Sequence, residues 1–380
     1  MSEPLLSIRD LRTVFHTDEG TVRAVDGVSF DVDRGETVCL VGESGSGKTV
    51  TGESITRLIR TPPGEIVGGE IVFDGTDLVS LPESALRDLR GDRIAHVFQN
   101  PQGALNPVYT VGWQIVESIR LHEDVSKAEA RSRGIDLLDR VGIPEATRRF
   151  DDYPHEFSGG MKQRVAIAMA LATNPDLLIA DEPTTALDVT IQNQILRLLS
   201  DLQTEFDMSV LLITHDLGVV AEVADRVVVM YAGKVMERGG VYELFERPSH
   251  PYTRALLGCL PGQGHEVTSI GGRLPPATDP PEGCRFHPRC EFAVDACREG
   301  AQPDFHAVDG DDDHVVSCVH YGPGGDPSVV REGDGAGVAE GDDVGGRRAD
   351  GGEATGSDGA GSTADDGPAT DDGADGRGER

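Results

Sequence analysis

The chain is short of lysine. Only Lys48, Lys127, Lys162 and Lys234 occur, so nearly all of its 34 basic residues are arginine, set against 66 acidic ones. No basic stretch interrupts the acid, and a chain of net charge −32 repels nucleic acid and anionic lipid. Long apolar runs are missing too. None approaches the roughly 18 residues that a membrane span needs, so work at a membrane would go through partners. The opening MSEPLLSIRD lacks a basic region followed by an apolar one, which speaks against a secretory signal. Internal repeats are absent. Cysteine is scarce, with six residues in 380, yet Cys284, Cys290, Cys297 and Cys318 crowd near the C-terminus.

What is present divides the chain into three parts. At 380 residues it can form one large domain or two smaller ones with a sizeable core. Residues 322–380 carry 15 acidic and 5 basic residues among Gly, Asp and Ala, and they are expected to be a disordered tail without a motif of its own. Most of the negative charge lies outside that tail. An acidic, lysine-poor balance spread over the folded part resembles cytoplasmic proteins of salt-accumulating halophiles, whose charges concentrated salt screens.

Residues 1–245 alternate short apolar runs with amphipathic stretches. ETVCLVG, RIAHVF, DLLIAD, SVLLITHD and RVVVMYAG read as strands. TVTGESITRLI, KAEARSRGIDLLDRVG, MKQRVAIAMALA and TIQNQILRLLSDLQ read as helices. Repeated strand and helix predict an α/β fold with a largely parallel sheet. The first 35 residues read instead as antiparallel strands broken at TDEGT. Residues 246–321 are rich in Pro, Cys and His and show little periodicity.

GESGSGKT, from Gly42 through Glu43, Ser44, Gly45, Ser46 and Gly47 to Lys48 and Thr49, fits the phosphate-binding loop pattern. A strand runs into it and a helix starts at Lys48. Glycines let backbone N–H groups wrap phosphates, and the helix N-terminus adds a favourable dipole. Lys48 would reach the β- and γ-phosphates of ATP, and Thr49 would hold Mg²⁺. A glycine-rich turn that binds nothing is the plain alternative, and the strand–loop–helix context disfavours it. DLLIADEP ends a buried strand at Asp181, placed for the Mg²⁺ shell, with Glu182 next to it to orient or deprotonate water.

FSGGMKQR resembles the signature of ABC ATPases, usually LSGGQ, with Phe157 and Met161 departing from the commonest form. Read from its residues alone, Ser158 caps a helix and Gly159 and Gly160 leave its amides bare, which makes a second anion site. The resemblance covers residues 5 to about 245. It implies a P-loop ABC domain with an N-terminal antiparallel subdomain and a helical insertion at about 100–160. It implies that this signature completes the ATP site of a second subunit, and that Gln99 touches Mg²⁺ and water. ALD, Ala186 to Asp188, would contact that subunit. His215 would hold the γ-phosphate, and Phe15 would stack on adenine.

Within that family, FQNPQGALNP and RPSHPYTRALLGCLP are similar to segments of oligopeptide and dipeptide importer ATPases, and GESGSGKT is nearer the D-type subunit than the F-type. The resemblance implies partners: a second, non-identical ATPase subunit, two membrane permeases docked on the helical insertion, and an extracellular solute-binding protein. It places the chain at the cytoplasmic face of the membrane, with peptides as solute and nickel or sugars as alternatives. A soluble ABC ATPase acting on DNA or protein complexes is the runner-up, though the missing basic stripe opposes it. A regulator that binds phosphate without hydrolysis is disfavoured by Glu182, Gln99 and His215.

The cysteine spacing is C-x5-C-x6-C-x20-C. Without an export signal, metal ligation is expected over disulfides. Zinc, an iron–sulfur cluster and free buried thiols are the alternatives, and the importer resemblance implies a [4Fe–4S] cluster. His287, His314 and His320 read as surface or supporting residues. The four-cysteine segment is expected to staple an extension, 246–321, that folds apart from nucleotide binding.

Overall fold

The computed structural model describes residues 3–185, 187–260 and 270–331. Two sheets organise them. The smaller is antiparallel, in the order β2 (Gly20–Val32), β1 (Leu6–Thr17), β4 (Gly64–Phe73), β5 (Thr76–Asp77). The break expected at TDEGT is the turn between β1 and β2, where Thr17 pairs with Gly20. The larger sheet has eight strands. Its parallel part runs β9 (Arg226–Tyr231), β3 (Thr37–Val41), β8 (Ser209–Thr214), β7 (Leu177–Asp181), β6 (Ile94–Val97). Every residue of β3, β7 and β8 is buried, which is why these strands read as unbroken apolar runs rather than alternating ones.

Helices start where short polar residues can hold a free amide. The side chains of Thr110, Ser126, Ser158, Asp188 and Asp216 each accept from a backbone N–H two or three residues on. The helical insertion contains Val111–His122 and Lys127–Arg140. Val111, Ile115 and Ile119 recur at helical spacing, are fully buried, and share a core with Leu137 and Leu138.

Three features differ from the reading of the sequence. First, β4 and β5 went unseen, because GEIVGGEIVF is interrupted by glycine and lacks clean alternation. Second, residues 246–321 are not a separate packing unit. Their strands β11 (His306–Val308) and β12 (Asp311–Val316) extend the large sheet through β10 (Lys234–Gly240), with Glu237 opposite Val316. Tyr252, Cys284, Phe286 and Cys297 belong to the same apolar core as Val41, Val229 and Tyr231. His314, expected at the surface or beside the cysteines, is fully buried with Nε2 2.8 Å from Glu237 Oε1. Third, the folded chain runs past 321. Ser328–Arg331 is a short helix, Val330 is fully buried, and Arg331 donates to Asp309. The rest of the expected acidic tail, 332–380, lies outside the described residues, as does Ala186 of the ALD stretch. No helix among the described residues is long and apolar enough to cross a membrane.

Candidate functional site

β3 lies between β8 and β9, so the loop that follows it emerges mid-sheet beside Asp181 at the end of β7. The loop is pressed against its neighbours. A Cβ on Gly42 would sit 2.1 Å from the carbonyl oxygen of Met230, and one on Gly47 would sit 2.2 Å from that of Ala24. Both glycines also have positive φ, 149° and 103°. The helix Lys48–Ile55 begins directly after Gly47. Lys48 is buried, and its Nζ donates to the carbonyl oxygens of Gly42 (2.8 Å) and Glu43 (3.0 Å). Burial pulls its ammonium below the ordinary lysine range, against the opposing pull of Glu182, Asp181 and Glu43.

Thr49 Oγ1 donates to Asp181 Oδ1 at 3.2 Å, joining the two residues expected around Mg²⁺. Burial raises the Asp181 carboxyl, with the charge of Glu182 adding to the effect. Glu182 gathers contacts from three elements. Gln99 Nε2 donates at 2.8 Å, Thr185 Oγ1 donates at 2.8 Å, and His215 Nδ1 lies 3.1 Å away. Burial alone would raise this carboxyl, but the bonds from Thr185 and His215 and the charge of Lys48 hold it below the usual range. Its φ of 43° is a left-handed conformation that a non-glycine residue rarely adopts.

The remaining expected residues lie outside this cluster. Ser158 caps its helix by accepting from Met161 N–H at 3.3 Å. Ser158 and Gly159 are exposed, and neither bonds to residues 42–49. Phe157, the departure from the commonest signature, is buried in the core. Asp188 caps Val189–Phe206 and is also exposed. Phe15 is half-buried on β1, paired with Val22 and Gly64. A cavity of about 750 Å³, lined by Thr49, Asp181, Gln99, Phe98, Leu58 and Met169, adjoins the loop.

Several residues around the site carry no motif. Glu43 N–H donates to the Tyr252 hydroxyl at 2.8 Å, and its carboxylate accepts from Arg289 at 2.8 Å. Both partners come from the Pro- and Cys-rich region, more than 200 residues away in sequence, where no local spacing links them to the loop. Thr185 stands in plain view within DEPTT, but a lone threonine there gives no signal.

Residues 25–185 match the family described as ABC transporter, and residues 236–297 match the one described as oligopeptide/dipeptide transporter, C-terminal region. The chain is 52% identical over 309 residues to the oligopeptide transport ATP-binding protein OppD of Bacillus subtilis, covering 80% of this chain and 86% of that one. The chain belongs to the ATP-binding proteins of peptide ABC transporters. It is therefore an ATPase. Among solved structures it resembles the ATP-binding cassette MJ0796 in a dimeric post-hydrolysis state with ADP and Pi (29% identical, TM-score 0.56, 62% of this chain and 98% of that one). It also resembles cbiO1 of Clostridium perfringens (29% identical, TM-score 0.55, 65% and 92%). These likenesses span the cassette, the fold expected from the sequence.

The four clustered cysteines carry no disulfide. Cys284, Cys297 and Cys318 are buried and Cys290 is half-buried. Cys284 N–H donates to the Cys297 carbonyl at 2.9 Å. Burial pushes the thiols of Cys284, Cys290 and Cys318 up, to about 11, 12 and 12, and the charges of the neighbouring cysteines push them further. Among the described residues no three His, Cys, Asp or Glu side chains converge tightly enough for a single ion.

Replacing Gly47 by Ala tests the tightness of the loop. A Cβ at 2.2 Å from a backbone carbonyl cannot be absorbed by a side-chain movement. Titration with a fluorescent ATP analogue is expected to show at least a tenfold loss of affinity; unchanged affinity would contradict this packing.

Proposed function

We propose that this ATPase powers an importer that carries peptides or a related solute across the cytoplasmic membrane, from a peripheral position on its inner face. The observation that carries the reading is Glu182, an ionised carboxylate held beside the phosphate loop by Gln99, Thr185 and His215. Lys48 and the loop amides neutralise phosphate charge as it builds up. Thr49 and Asp181 would hold Mg²⁺, which supplies charge opposite the β- and γ-phosphate oxygens. Gln99 and Glu182 orient the attacking water, and Glu182 receives its proton. His215 contacts the γ-phosphate and Phe15 stacks on adenine. Exposed Ser158 and Gly159, with half-buried Gly160 and exposed Asp188, complete the site of a second subunit.

The similarity to OppD supports the peptide reading and a D-type subunit with a non-identical partner. Docking on two permeases, which in turn meet an external binding protein, is supported by apolar residues on the helical insertion. Val108, Tyr109, Trp113 and Leu121 are exposed there, and the Tyr109 and Trp113 rings stack at 3.9 Å. Nickel and oligosaccharide remain the alternative solutes. The soluble DNA-acting reading has no comparable support. A tagged chain should recover membrane subunits, and in that complex Glu182→Gln should keep ATP affinity within about twofold while turnover falls at least ~100-fold. Unchanged ATP hydrolysis by the complex would sink the assignment.

We further propose that Cys284, Cys290, Cys297 and Cys318 hold a [4Fe–4S] cluster, with zinc as the second reading. The importer resemblance supports the cluster, as do the absence of disulfides and the burial of Cys284, Cys297 and Cys318. A bound cluster would supply four covalent cross-links at thiols that burial otherwise keeps protonated. Anaerobic purification is expected to yield iron and sulfide in equal amounts; one zinc without iron would refute the cluster.

The charge of −32 and the scarcity of lysine support a salt-adapted chain. Its thermal midpoint should rise as KCl goes from 0.1 to about 2 M, beyond the range where the screening length falls to ~3 Å. A flat or falling midpoint would count against that reading.

A further inference from the structure

The region between Cys284 and Cys290 touches the nucleotide site directly. Arg289 is the residue before Cys290, and its side chain is only 5% exposed. Its guanidinium is spent in four directions. Nε donates to Gly271 O (2.7 Å), one terminal nitrogen to Glu43 Oε2 (2.8 Å) and the Tyr231 hydroxyl (3.2 Å), and the other to Ile270 O (3.2 Å). Glu43 is the second residue of the phosphate loop. Its N–H is tied to Tyr252 and its carbonyl to Lys48, so its carboxylate is the third group by which Glu43 itself is held.

Other contacts run the same way. Leu274 approaches to 3.3 Å of the place a Cβ on Gly45 would occupy. Arg23 N–H donates to Ala277 O at 2.9 Å. Arg285, next to Cys284, pairs with Asp26 on β2, which also holds Arg12 and Lys234. Tyr231, Tyr252 and Phe286 pack ring against ring behind Arg289, with centroids 4.7 to 5.3 Å apart. The loop backbone must present its amides in a fixed array to hold phosphate, and its glycines do not fix themselves. The rigidity comes from outside the loop, and much of it from this extension.

We propose that Arg289 is a positioning residue for ATP binding: through Glu43 it fixes the phosphate loop, so that the fold of the four-cysteine segment sets nucleotide affinity. This rests on the loop being the ATP site. It replaces the expectation that the extension folds apart from nucleotide binding.

The test uses the full chain and a fluorescent ATP analogue, with near-ultraviolet circular dichroism as the folding control. Arg289→Met is expected to weaken binding on the order of tenfold, the effect of one charge-assisted hydrogen bond. Arg289→Lys, which keeps the charge but loses the fork, should fall between that variant and the parent. Glu43→Gln should weaken binding by a similar factor. The double variant Glu43→Gln/Arg289→Met should bind no worse than Arg289→Met alone, because Glu43→Gln only weakens a contact that Arg289→Met abolishes. Hydrogen exchange across residues 42–49 should quicken in each variant. Where Arg289→Met does not fold, Glu43→Gln and the exchange of its loop decide the question. Folded variants with parental affinity and exchange, or losses that multiply in the double variant, would overturn the proposal. If the parent chain itself bound no nucleotide, the ATP reading would fail instead.

Discussion

The phosphate loop has no room to spare, and the molecule is arranged around that fact. Gly42 abuts the Met230 carbonyl on β9, and Gly47 abuts the Ala24 carbonyl on β2. A loop so confined is held by backbone walls, with the side chains of Glu43 and Lys48 adding ties of their own. The two walls come from different sheets. The placement of the antiparallel sheet against the parallel one is therefore part of the binding site, not only a frame for it.

The second constraint is the pair Asp181 and Glu182. Consecutive residues at a strand end must point to different places, and here they also ionise differently. Asp181 sits in the buried strand register and bonds Thr49. Glu182 leaves the strand in a left-handed turn and meets donors from three separate segments. Desolvation governs the first and hydrogen bonding the second. One residue is suited to a cation and its neighbour to water.

The parts of the site that were legible are those whose chemistry is local. A buried strand, a glycine-rich turn and a helix start lie within twelve residues of one another, and so do DLLIAD and EP. The helix cap at Ser158 was legible in the same way. What was hidden depends on contacts across the chain. Arg289 and Glu43 are 246 residues apart, and nothing in PRC or GES foretells their meeting. Tyr252 lies within HPYTRALL, which carries no sign that its hydroxyl receives an amide of the loop. β10 and β12, KVMERGG and DDDHVV, alternate too poorly to read as strands, and their pairing is what joins the extension to the cassette. The cysteine-rich segment, expected to fold apart, packs into the cassette's own core through Cys284, Phe286 and Cys297.

That pairing also bears on solubility. β10 would otherwise be an edge strand of a seven-residue run with free amide and carbonyl groups, a template for pairing with another chain. The extension covers the middle of it, at Met236, Glu237 and Arg238, with the end of β12, whose first three residues are Asp311, Asp312 and Asp313, and then ends the sheet with β11, only three residues long. A brief outermost strand beside a run of like charges offers little to a passing chain. Cutting the polypeptide at the end of the cassette would undo this guard and leave a sticky margin, so the extension also serves as the finished hem of the sheet.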